Sequence, residues 1–338
     1  MELFPLAVRE EDGEIVVGRV DTGVFVSLPS IGSDVIRALE RGLSIEEAEA
    51  EVETIAGESV DVAEFAATLV DLGFVDAIDR QRLQTAAAAA PTPTFPWLKP
   101  NHVDWLYARP FKLCYLALLA TGVVAVASHP RFLPHPAAFF WSPRISLVIG
   151  VNFLLFLTAL AIHEFFHLAS ARSLGIPARI GLGTRLHHLV AQTDVTGLWS
   201  LPRRARRRVY IAGIAWDSAL LATTFILLAY GHLPPLGAKL LQALGLVVFF
   251  GVASQFLFYM RTDLYFVILD STRTKNLFAD AMSYLSFVRS HLCTLTRDPS
   301  VASRADHIDG VVCSRWRRFD TPKVAIDNPL PAGRRSRS

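Results

Sequence analysis

The rhythm of apolar positions changes along this chain. Up to about residue 82 they come in short bursts. Ile15-Val16-Val17 and Val24-Phe25-Val26-Ser27-Leu28 are β-prone runs, and Asp21-Thr22-Gly23 supplies a turn between them. A helix is expected from Ser33 to Glu40. A second starts at Ser44, where Glu47 three residues on completes a capping box. A third starts at Asp61 with Glu64, and its Val62, Phe65, Ala66 and Leu69 share one face. Gly73 ends that helix and Phe74-Val75 opens a further strand. Together these predict a small α+β, winged-helix-like domain over residues 1–82.

The pattern then breaks. Residues 83–100 hold an alanine run followed by Pro91, Pro93 and Pro96, which reads as an extended linker. Beyond it the apolar runs become long. Four segments, near 111–128, 145–167, 209–233 and 236–260, reach or approach the ~20 residues that cross a bilayer. One such segment could be a buried soluble helix, but four in succession predict a mostly α, polytopic membrane helix bundle. Residues 101–290 form this membrane domain, and 291–338 read as a disordered basic tail.

Composition agrees with this division. Hydrophobic residues make up 52% of the 338, so a wholly water-soluble chain is not expected. The net charge of +2 carries no nucleic-acid signal, and Glu46, Glu47, Glu49, Glu51 and Glu53 give the N-terminal domain the wrong sign for phosphate. Arginines instead report topology. Arg172, Arg179, Arg185, Arg203, Arg204, Arg206, Arg207 and Arg208 all fall between the second and third spans. By the positive-inside rule this connection is cytoplasmic, and so are both termini. Contact with lipid headgroups is the further role expected of these arginines. The N-terminus lacks the basic and apolar regions of a signal peptide, and Cys114, Cys293 and Cys313 read as free thiols on a reducing side. A bacterial inner or plasma membrane is the expected location.

Chemistry concentrates at the end of the second span, in His163-Glu164-Phe165-Phe166-His167. Histidines four apart lie one turn apart on one helical face and can reach a single Zn²⁺. The adjacent Glu164 can take a proton from water at the metal. Ionisable groups inside an apolar span are costly, which favours function over chance. A zinc hydrolase needs a third protein ligand. Asp263 follows the cytoplasmic end of the fourth span at matching depth, and Asp270 competes with it. Asp217, inside the third span, either hydrogen-bonds a ligand histidine, lines a water path, contacts substrate or makes a helix–helix contact. His187 and His188 read as loop residues.

The segment around His163-Glu164-Phe165-Phe166-His167 resembles the site-2-protease class of intramembrane metallopeptidases, the M50 group, and is closest to its peptide zinc metalloprotease branch. The likeness extends over about residues 145–285. It includes Thr193-Asp194-Val195-Thr196-Gly197-Leu198-Trp199-Ser200-Leu201-Pro202, the small pair Ala212-Gly213, and Asp263-Leu264-Tyr265-Phe266. The last is similar to an Asp-Gly-Tyr-Tyr motif that supplies the third ligand, which implies that role for Asp263. Leu264 stands where the motif has Gly, and Asp217 where the class commonly has Asn. Residues 1–82 are similar to the PqqD-like peptide-recognition fold, through the turn at Asp21-Thr22-Gly23, Ile31-Gly32-Ser33 and the Leu69–Phe74 stretch. That likeness implies binding of a leader peptide by strand addition. The expected function is a zinc metallopeptidase acting on such a peptide or on a membrane-anchored protein. A membrane-bound peptide carrier without activity is the alternative. A metal transporter fits less well, because the first span has few polar residues.

Overall fold

The computed structural model describes residues 1–11, 13–57, 59–78, 81–83, 92–185, 188–273 and 281–288; at 184, 185 and 188–190 it describes the backbone. The expected tail at 291–338, with Cys293 and Cys313, and His187 lie outside the described residues. The chain divides into two units, one holding residues 1–90 and the other 91–271.

In the first unit, strands β1 (Glu2–Leu3), β2 (Ala7–Glu11), β3 (Glu14–Arg19) and β4 (Val24–Leu28) precede helices α1 (Ser30–Glu40), α2 (Ile45–Ala56) and α3 (Val62–Asp71), then β5 (Val75–Ile78) and β6 (Gln81–Arg82). β2, β3 and β4 form an antiparallel meander in which Val17 pairs with Val8 and Val26; β1, β5 and β6 form a second sheet. The turn after β3 needs Gly23, whose φ of 72° an L side chain adopts with strain. Ser44 and Glu47 cap α2 reciprocally, and Asp61 accepts from the Glu64 amide at the start of α3. The core is Val17, Val35, Ile36, Leu39, Val52, Val62, Leu69 and Phe74. The charged edge strand Ala7–Glu11 has no apolar run to betray it; charges on an edge deter pairing with other chains. Arg19 is buried, donates to Gly73 O (2.6 Å) and to Asp21, and lies 3.6 Å over the Phe4 ring.

The second unit is mostly helical. A short helix α4 (Pro100–Val103) leads to α5 (Arg109–Ser128), α6 (Ile145–Ser173), a hairpin of β7 (Arg179–Arg185) and β8 (His188–Asp194), then α7 (Arg203–Tyr230), α8 (Pro235–Ser254) and α9 (Asp263–Thr272). α5, α6, α7 and α8 are long and apolar enough to cross a bilayer, which marks this as a membrane protein. Their outward side chains, Leu113, Leu116, Val123, Phe153 and Leu154 among them, are exposed. α7 packs against the other three. Gly122 of α5 lets the backbones close up at Ala222, where a Cβ would stand 2.5 Å from the alanine's own.

Three boundaries differ from the hydropathy reading. α6 continues to Ser173 and α7 begins at Arg203, because arginine is a good helix former and hydropathy marks the apolar middle of a helix rather than its ends. The fourth helix stops at Ser254, not near 260. Gln255 captures the returning chain: its carbonyl accepts from Thr262 Oγ1 (2.6 Å) and its side-chain oxygen from the Asp263 amide (3.1 Å). The presumed linker also divides. Residues 84–91 lie outside the described residues, whereas Thr94 donates its amide to Ala178 O and accepts the Ile180 amide.

Candidate metal centre

α6 and α7 run antiparallel, joined by the β7–β8 hairpin, so the end of α6 meets the start of α7. Val209, Gly213 and Asp217 recur every four residues on α7 and share a face. That face meets His163 and His167. His167 Nδ1 donates to Val209 O at 2.8 Å. A carbonyl oxygen only accepts, so this ring carries its proton on Nδ1. His163 Nδ1 lies 2.8 Å from Asp217 Oδ2 and donates to it likewise. Both rings are thereby turned so that Nε2 points inward with a lone pair.

The third corner comes from α9. Asp263 Oδ2 lies 3.1 Å from His163 Nε2 and 3.1 Å from His167 Nε2, and the two nitrogens are themselves 3.1 Å apart. With both Nδ1 atoms donating outward, the three inward atoms are all acceptors. They repel one another unless a cation lies among them. Two ligands about 2.05 Å from a tetrahedral ion stand about 3.3 Å apart, close to the separations found. The charge balance points the same way. Asp263, Asp217 and Glu164 place three carboxyl groups around two imidazoles, with all but Asp263 nine-tenths buried. These residues therefore fit a divalent metal ion with two imidazoles and one carboxylate.

Glu164 sits one residue from His163 and is buried. Thr193 of β8 fixes it: the hydroxyl lies 2.8 Å from Glu164 Oε2 and 3.0 Å from Glu164 O, so its single proton is shared between them. Phe166 stacks on Trp216, ring centroids 4.6 Å apart, tying α6 to α7 beside the site.

The structure thus brings together His163, His167 and Asp263, with Glu164 alongside and Asp217 behind His163. Asp270 is not with them. It is two turns further along α9 and forms a bidentate pair with Arg206 (Nη2–Oδ1 2.7 Å, Nε–Oδ2 3.1 Å), both side chains almost fully buried. This also corrects the lipid-facing role expected of Arg206, whose side chain is 1% exposed. Leu264 lies in ordinary helical backbone. The left-handed position falls instead on Arg261, at φ 51°, so no glycine is required after Asp263. Cys114 is exposed on α5 and takes no part.

The roles of Thr193, Val209 O, Gln255 and the Arg206–Asp270 pair are absent from the sequence reading, and Gly213 entered it only as a small residue. Gly213 is a spatial requirement. A Cβ there would stand 2.5 Å from His163 Nε2 and closer still to His167 Nε2. Gly213→Ala should weaken metal binding by at least about 10-fold, although alanine is the better helix former. Competition with a chromophoric chelator measures it; unchanged affinity would show that the rings have room to retreat.

Comparison with protein-family models, with curated proteins and with solved structures gives no significant match to this chain.

Proposed function

We propose that this protein is a membrane-embedded zinc metallopeptidase. The carrying observation is the triangle of His163 Nε2, His167 Nε2 and Asp263 Oδ2, each side 3.1 Å, with the Glu164 carboxylate adjacent. His163, His167 and Asp263 would hold the ion. Zinc bound there supplies electrophilic polarisation of the scissile carbonyl and acidifies water. The remaining work belongs to the chain. Glu164 takes the proton of the attacking water and delivers it to the leaving amine. Thr193 keeps that carboxylate aimed. Asp217 and the Val209 carbonyl fix the tautomer and orientation of the two rings. The resemblance of 145–285 to the site-2-protease class supports this reading.

Residues 1–82 are proposed to be a winged-helix-like peptide-recognition domain. It would hold the leader of a ribosomally made peptide near the membrane site and so raise its local concentration. By the positive-inside rule, the arginine-rich connection between α6 and α7 would put the metal site near the cytoplasmic face, with both termini on that side.

The test is direct. Protein purified in detergent should carry one zinc per chain by elemental analysis. His163→Ala and Asp263→Ala should each carry almost none. Cleavage of a leader-bearing peptide should stop on chelation and return with zinc. A two-imidazole, one-carboxylate set also suits ferrous iron, so iron in place of zinc, or a metal-free wild type, would end the peptidase reading.

A further inference from the structure

A second site lies at the opposite end of the helix bundle. The connection between α5 and α6 folds into two 3-10 turns, Pro130–Phe132 and Pro136–Phe139. It is pinned to α6 by Asn152, a buried amide inside the apolar span. Asn152 Nδ2 donates to Phe139 O (3.0 Å) and Asn152 Oδ1 accepts from Trp141 Nε1 (3.1 Å). The pinned connection roofs a cavity of about 330 Å³ against the last turns of α7 and the first turns of α8. That is the lower end of the range for small-ligand sites.

The lining has a consistent chemistry. Arg131 and Lys239 contribute two cations, and no acidic residue lines the cavity. Neither cation makes an ion pair among the described residues. His135 adds a neutral donor: its Nδ1 accepts the Ala137 amide (3.2 Å), which leaves the proton on Nε2. Phe132, Phe140, Phe225 and Leu228 add an apolar wall, with Thr224 and Gln242 as neutral polar neighbours. Lys239 is only one turn inside α8, where a charge among apolar residues gains from an anion at headgroup depth. Along α7, Leu228 is fifteen residues from Gly213, about 22 Å at 1.5 Å per residue. The cavity is therefore separate from the metal centre, near the other face of the bilayer.

We propose that this cavity binds the phosphodiester headgroup of an anionic phospholipid. Arg131 and Lys239 take the phosphate, and His135 donates a further hydrogen bond. The aromatic wall receives the first part of an acyl chain. The proposal rests on the four helices crossing a bilayer, not on the peptidase reading. An inorganic phosphate ion shares the headgroup's chemistry but would leave the apolar wall unused.

Native mass spectrometry of the full chain, released from nanodiscs of mixed phosphatidylglycerol and phosphatidylcholine, tests it. The wild type should retain one phosphatidylglycerol in preference to phosphatidylcholine. The Arg131→Ala/Lys239→Ala variant should bind it about 10- to 30-fold more weakly, the sum of two headgroup contacts. Both side chains are exposed, so folding is not at risk; Lys239→Gln alone should give a smaller loss in the same direction. Equal retention by wild type and the double variant would overturn the proposal, as would equal retention of the two lipids. Thermal stabilisation by inorganic phosphate matching that by phosphatidylglycerol would also overturn it.

Discussion

Glu164→Gln is expected to lower peptide cleavage by about 10³-fold while leaving the zinc content of the protein unchanged. The substitution keeps the size and shape of the side chain, and its amide oxygen can still accept from Thr193, so His163 and His167 are undisturbed. What is lost is the carboxylate that, in the proposed mechanism, takes a proton from water and returns it to the amine. Thr193→Val separates aim from chemistry. It removes the hydroxyl 2.8 Å from Glu164 Oε2 but leaves the base, so a smaller fall, about 10-fold, is expected. Combined with Glu164→Gln it should cost nothing further, because no base remains to be aimed. Steady-state kinetics and zinc analysis on the same preparations check this. Undiminished turnover by Glu164→Gln would sink the peptidase mechanism, whereas loss of zinc would show that Glu164 supports the metal rather than the reaction.

Asp270→Ala is expected to destabilise the membrane unit by about 3–5 kcal/mol and to weaken zinc binding, although Asp270 is no ligand. The reason lies in the spacing. Asp263 and Asp270 are seven residues apart on α9, as are Arg206 and Gly213 on α7. Seven residues are close to two helical turns, about 10 Å, so each pair lies on one face. α9 is thus held against α7 at one end by the Arg206–Asp270 pair and meets the metal triangle at the other. Removing Asp270 strips the buried Arg206 guanidinium of its bidentate carboxylate; the Leu201 carbonyl (3.2 Å) and the Trp199 ring are among the contacts it keeps. Replacing both members, as Arg206→Met/Asp270→Leu, should recover most of the stability, since it removes the buried cation together with its carboxylate. Thermal unfolding in detergent and chelator competition give the two readouts. If Asp270→Ala unfolds normally and keeps its zinc, the buried Tyr265, Phe266 and Leu269 alone hold α9 in place.

Much of the architecture is legible before any coordinates. The capping box at Ser44 and Glu47, the Asp61 cap and the turn at Gly23 are local devices, and each stands where its residues predict it. The four long apolar helices are equally local, because length and hydropathy suffice to find them. What escaped the reading needs partners outside the element itself. β2 is charged and gains its place only by pairing with β3. The fourth helix ends at Ser254 because Gln255 is engaged by Thr262 and Asp263, while the hydropathy runs on past it.

The candidate metal centre divides the same way. His163, Glu164 and His167 share one helix, so helical geometry alone brings two imidazoles and a carboxylate to one spot, and the sequence determines that much. Depth in a bilayer is a one-dimensional coordinate, and it brought Asp263 into consideration about a hundred residues downstream. It could not separate Asp263 from Asp270, which are two turns apart on the same helix face. Only the tertiary structure decided between them: α9 lies antiparallel to α7, so one aspartate reaches the imidazoles and the other neutralises Arg206. It also decided that Asp217 grips His163 from behind, that Thr193 aims Glu164, and that Gly213 is a space for two rings. The physical reason is common to all three. Each is a side chain's relation to a neighbour across a helix or strand interface, and the order of residues along one element carries no record of which face of another will meet it.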